Sequence, residues 1–209
     1  MSVASKILSA SAKPSDKKRV LTAANYDTIN FNQVINWVNT SDIDFSVTLS
    51  VEDLPYGEIF NVGEFNSPDT GLFRMVNFGT NQIIIWIYQK NSVSTIDGAV
   101  IPLPYGSKGV VTVLNREIRL DGNLVYTLGE HVLDIDMNGT TRKAIIGSSM
   151  DTPEISSKTI YECSLDSESY YFNEGNNFTS IGSNGSIATG QTSSADPVNY
   201  WNQNVIKTI

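Results

Sequence analysis

The sequence predicts an all-β chain folded as an antiparallel two-sheet sandwich, and three observations carry that expectation. Residues 109–128, GVVTVLNREIRLDGNLVYTL, place Val111, Val113, Ile118, Leu120, Leu124 and Tyr126 at alternate positions, the period of a half-buried strand. Within that stretch Asp121-Gly122 supplies a pair that tolerates positive φ in a two-residue hairpin. Elsewhere no helical apolar period runs beyond about three turns. Three short strands in succession make a sheet that needs a second layer. Such a sheet surface points to binding more than to a catalytic cleft.

The other elements follow in order. Residues 1–20 read as a tail, and 21–35 lead into the first strand. Residues 44–51 alternate most cleanly, with Phe45, Val47, Leu49 and Val51 on one face and Ser46, Thr48 and Ser50 on the other. Strands are expected at 58–62, 72–78 and 83–89, the first two separated by a loop holding Pro68-Asp69. Pro102 and Pro104 make 91–108 a loop with at most an edge strand. Further strands are expected at 131–136 and 143–146, joined by an Asn138-Gly139 turn, and at 157–165. Residues 173–192 are rich in Gly, Asn and Ser and read as loops linking short pieces. The expected total is about ten to thirteen strands, with no internal repeat.

Composition bounds the function classes. The chain has 209 residues, 40% apolar and 17% charged, which suits one large globular sandwich. Its single cysteine, Cys163, excludes an internal disulfide framework. No apolar run approaches the roughly 20 residues of a membrane span, and the N-terminal residues lack the apolar region of a secretory leader. Synthesis in a reducing cytoplasm is therefore expected. The Asn-x-Ser/Thr triplets at Asn39, Asn138, Asn177 and Asn184 then read as turn chemistry, not as glycan acceptors.

Charge is uneven. Residues 1–20 hold Lys6, Lys13, Lys17, Lys18 and Arg19 against Asp16, a balance of +4. The rest holds 9 basic and 21 acidic residues, −12, and the two parts sum to −8. An acidic body disfavours nucleic acid, because phosphate contacts need clustered Lys and Arg. The basic arm reads either as a solvated terminus or as a segment that orders on an acidic protein surface through Lys13, Lys17, Lys18 and Arg19.

The order of the pieces resembles the laminin-G-like, concanavalin A-like jelly roll. It is carried by the strand pair around 31–37, the long strand at 45–51, the Gly-punctuated pair at 59–63 and 72–78, and the strand at 83–88. The hairpin IRLDGNLV resembles the family's last element, with Arg119 where the family often has Tyr. Ala144 to Gly147 fits the late strand that ends in Ile-Gly. The end of the chain, YYFNEGNNFTSIGSNGSIATGQ and then Trp201, resembles a tail found on such domains in tailed-phage virion proteins. The resemblance covers about residues 28–205. It implies a jelly-roll domain over 21–209 behind a flexible basic arm of 1–20. It also implies a virion structural protein: a head fibre, a decoration protein or a tail-associated protein. The expected partners are other capsid or tail proteins, a host surface glycan and further copies of the chain, with neither nucleic acid nor membrane.

The inventory of reactive groups argues against an enzyme. His131 is the only histidine, so a nucleophile–base pair rests on it, and its strand-like context EHVLDID favours a surface or packing role. Cys163 alternates with Tyr161 and Leu165 as a core residue does, and one Cys with one His cannot build a zinc site. Paired carboxylates occur two apart at Asp42/Asp44, Asp134/Asp136 and Asp166/Glu168, about 6.6 Å along a strand. None carries the Glu-x-Asp-x-Glu pattern of the jelly-roll glycosidases that the fold resembles. No cofactor is expected apart from calcium, which the resemblance admits and which Asp134, Asp136 and Asn138 would hold near a turn. For a glycan, the candidate aromatic faces are Trp86 and Tyr88, opposite Ile85 and Ile87, with Tyr105 in the Pro-rich loop and Trp37 near the first strand. The alternatives are a bacterial carbohydrate-binding module outside any particle, a glycoside-cleaving enzyme, and a purely architectural protein without ligand.

Overall fold

The alternation at 44–51 becomes a strand whose Phe45, Val47, Leu49 and Val51 are buried in the core while Ser46, Thr48 and Ser50 lie on the opposite face, where Thr48 and Ser50 are buried too. The computed structural model describes residues 17–21, 28–31, 35–51, 56–63, 66–78, 81–136, 145–146, 158–166, 168–171, 179–181, 187–191 and 206–208. Among them are eighteen strands, one 3-10 turn (Thr40–Asp42) and no α-helix.

Sheet I runs β11 (Asn123–Thr127), β10 (Glu117–Leu120), β9 (Lys108–Leu114), β4 (Asp44–Val51), β14 (Lys158–Leu165), β1 (Lys17–Leu21) and β18 (Ile206–Thr208), with β15 (Glu168–Tyr171) folded back on β14. Sheet II runs β16 (Thr179–Ile181), β17 (Ile187–Gln191), β2 (Thr28–Phe31), β13 (Ile145–Ile146), β5 (Tyr56–Gly63), β6 (Leu72–Phe78), β7 (Gln82–Tyr88) and β8 (Asp97–Pro102). A separate pair joins β3 (Asn36–Asn39) to β12 (Val132–Asp136). The strand pairings are antiparallel, and the chain is an antiparallel two-sheet jelly-roll sandwich.

An aromatic cluster joins the sheets. Phe45 of sheet I stacks on Phe60 of sheet II with centroids 3.9 Å apart and planes at 13°. Phe73 meets both rings edge-on at 6.1 and 6.0 Å, and Trp37 meets Phe73 at 5.7 Å. Phe31 and Tyr170 make a second edge-on pair at 4.9 Å. Edge-to-face geometry sets the positive ring edge on the negative ring face.

The two tight turns follow from local residue chemistry. Asp121 and Gly122 both adopt positive φ, 50° and 79°, as a mirror-type two-residue hairpin requires. Asn115 and Arg116, at 49° and 69°, do the same between β9 and β10.

Two expectations change. The arm drawn as residues 1–20 is too long at its inner end: Lys17, Lys18 and Arg19 belong to β1. Arg19 pairs with Ile160 of β14 on one side and Ile206 of β18 on the other. Between two strands both edges of the β1 backbone find partners, which outweighs the charge that made the segment read as tail. Lys13 lies outside the described residues. The strand count also rises, because β1, β15 and β18 are three to five residues long and carry no readable alternation. The segment at 91–108 contains β8, the edge of sheet II, with Pro102 as its last residue, where no ladder donor is needed.

Candidate functional site

The site is built on the outer face of sheet II. Along β7, Ile83, Ile85 and Ile87 fill the core, so Gln82, Ile84, Trp86 and Tyr88 point outward by alternation. Register then places Arg74 beside Trp86 on one side and Gly98 beside it on the other. Because Gly98 has no side chain, the space next to the indole stays open. The result is a cavity of about 280 Å³ lined by Ile84, Trp86, Thr95, Gly98, Ala99 and Val100. Gly98 is also obligatory: a Cβ there would lie 2.2 Å from the Ile85 carbonyl oxygen.

Charge beneath the indole is balanced. The Arg74 guanidinium stands over the Trp86 ring, 5.8 Å from its centroid. It donates through both Nε and an Nη to the two Glu58 carboxylate oxygens, each at 2.9 Å, in a bidentate fork. The Glu58 side chain is fully buried and that of Arg74 is 14% exposed. Phe78 meets the indole edge-on at 6.4 Å.

Asp97 fixes the edge strand next to this cavity. Its Oδ1 accepts from the Gly98 N–H at 2.7 Å and the Tyr126 hydroxyl at 3.1 Å. Its Oδ2 accepts from the Gly129 N–H at 2.6 Å and lies 3.1 Å from His131 Nε2. The hydrogen bond to Asp97, and then its charge, push the Tyr126 phenol up, so the hydroxyl remains a donor. His131, just before β12, therefore packs as an edge tie between sheet II and the β11–β12 connection.

The predicted site residues separate. Trp86 lines the cavity, and Val100 beside it is 53% exposed. Tyr88 shares its face but is buried near Leu72, its partner in register. Tyr105 is exposed in the loop after β8, beyond the roughly 13 Å of strand from Gly98 to Pro102. Trp37 is enclosed in the core and donates from Nε1 to Asp166 Oδ1 at 2.5 Å. The backbones of Asp134 and Asp136 lie in β12, their side chains and all of Asn138 lying outside the described residues. Lining residues Ile84, Thr95, Gly98 and Val100, and the Glu58–Arg74 pair, were not foreseen. The dipeptide Asp97-Gly98 reads as a turn, and only cross-strand register shows that Gly98 faces a tryptophan.

Of the carboxylates considered for hydrolysis, those of Asp42 and Asp166 hold local structure. Asp42 Oδ2 accepts from the Val38 and Asn39 N–H groups at 3.0 and 2.9 Å. The Asp166 N–H donates to the Asp44 carbonyl at 2.9 Å. Burial pushes the Asp166 carboxyl up, its hydrogen bond from Trp37 pulls it down, and Asp44 and Asp42 push it up further. Burial, with a smaller contribution from Glu162, raises the Cys163 thiol far above its usual range and makes it a poor nucleophile.

No protein-family model matches the chain. No curated protein matches it either. Among solved structures, the chain is similar to the native heptameric SAP-like pentraxin from Limulus polyphemus, with 11% identity, a TM-score of 0.43, and coverage of 88% of this chain and 99% of that one. It is also similar to the alginate lyase Aly36B, with 13% identity, a TM-score of 0.36, and coverage of 67% of this chain and 79% of that one.

Proposed function

We propose that the chain is a non-enzymatic glycan-binding jelly roll carried as a structural component of a tailed-phage virion. The observation that carries the binding reading is the Trp86 cavity, an indole wall kept open by a glycine opposite it. Sugar C–H faces pack on aromatic rings, and an apolar concavity with few polar groups is the usual form of a small-ligand site. The virion reading is supported by the residues from Tyr170 to Gly175 and by Trp201, which resemble the tail of phage virion domains. In it, basic residues at the N-terminus attach the domain to the particle, and copies of the chain assemble together. Fold does not settle function, so both halves need their own test.

Glycan-array binding of the full chain tests the first half. Trp86→Ala is expected to abolish binding while near-UV and far-UV dichroism stay native. Retained binding by the folded variant would overturn the Trp86 assignment. Mass spectrometry of purified virions tests the second half, with a copy number matching a capsid or tail symmetry expected. Absence from particles would leave a carbohydrate-binding module as the reading.

A further inference from the structure

We infer that the Trp86 cavity takes a single uncharged sugar ring and discriminates against anionic sugars such as uronates and sialates. This rests on the glycan-binding reading and adds the ligand's charge and size. The lining is the indole, Ile84, Ala99, Val100 and the Gly98 backbone, with the Thr95 hydroxyl as its polar side chain. Its volume of about 280 Å³ falls just under the roughly 300–1,000 Å³ of drug-sized sites, which suits one ring laid on the indole.

Arg74 and Glu58 set the charge beside the indole. Arg74 stands over the indole, and its fork is already closed by the buried carboxylate of Glu58. An anion that drew Arg74 away would leave Glu58 buried without its countercharge, a costly state in a low-dielectric setting. The chain as a whole carries −8. Each of these opposes an incoming carboxylate, while a neutral ring meets an apolar wall and a hydroxyl.

The test compares methyl glucoside with methyl glucuronide, which differ in the carboxylate at C6, by titration calorimetry on the full chain at low and high salt. The glucoside is expected to bind at least roughly tenfold tighter, with little salt dependence. Val100→Lys sets a cation at an exposed lining position and should narrow that preference without disturbing the core. Equal or tighter glucuronide binding by the native chain, weakened by salt, would overturn the inference and leave the glycan reading standing. Binding of neither these probes nor any glycan on the array would overturn the glycan reading and the inference together.

Discussion

On the outer side of sheet I, β4 presents Ser46, Thr48 and Ser50, and β9 adds Thr112 between the exposed Val110 and Leu114. Among its contacts, Thr48 Oγ1 donates to Glu162 at 3.2 Å, and the Lys108 ammonium stands 4.0 Å above the Tyr161 ring. On the outer side of sheet II, β7 presents Ile84 and Trp86 beside the Arg74–Glu58 pair, whose carboxylate is fully buried. Both sheets bury the same alternating apolar inner face, so the sandwich does not require this difference. Thr48 and Ser50 are themselves buried, and the Thr48 hydroxyl is bonded to the exposed Glu162. A fully buried carboxylate held by an arginine that stands over the Trp86 ring is expensive to maintain, and this pair lies beside the cavity residue Trp86.

The sharpest way to break the comparison is to remove one acid from each face. Glu58→Ala removes the buried carboxylate that closes the Arg74 fork and is expected to cost about 3–5 kcal/mol in urea denaturation. Glu162→Ala removes an exposed partner and is expected to cost under about 1 kcal/mol. Equal costs would mean that the two faces are energetically alike. Next in size, Gly98→Ala should cost about 1–3 kcal/mol, because its Cβ meets the Ile85 carbonyl oxygen. Nuclear magnetic resonance of β7 and β8 should show the resulting shift, and an unperturbed variant would remove the packing argument for the cavity.

How much of this was legible in the sequence depends on the element. Where long strands alternate, as at β4 and β6, the boundaries read off Phe45–Val51 and Leu72–Phe78 because one face is fully buried. The hairpin at Asp121-Gly122 read off its φ requirement. Strand β1 did not, since Lys17, Lys18 and Arg19 have no apolar period and gain their pairing from β14 and β18, which lie far along the chain. The cavity was half legible. Trp86 stood out by type and face, but its Gly98 neighbour, and the Glu58–Arg74 fork, exist only through register between strands.

The last two predictions are smaller. Removing β1 together with all that precedes it, by deleting residues 1–21, should destabilise the sandwich, whereas deleting 1–16 should leave its melting transition nearly unchanged. The reverse ordering would return β1 to the arm. The smallest effect is at Asp166, away from both faces. Its carboxyl is raised in the folded state, so its contribution favours folding below the ordinary carboxylate range and is lost as pH rises through the raised value. Asp166→Asn keeps an acceptor for Trp37 and suits the positive φ of 49°. It should therefore be more stable than the native chain at neutral pH, by under about 1 kcal/mol because the group is partly solvated, and the gain should vanish in acid. A less stable variant at neutral pH would show that the charged hydrogen bond to Trp37 outweighs the desolvation.

The measurement that bears most directly on the central claim is amide chemical-shift mapping of the full chain titrated with methyl glucoside. Perturbations confined to β6, β7 and β8, centred on Trp86 and Gly98, are what a binding face on sheet II predicts. Perturbations clustered on β4, β9 and β14 would place recognition on the hydroxyl-rich face of sheet I and contradict the account.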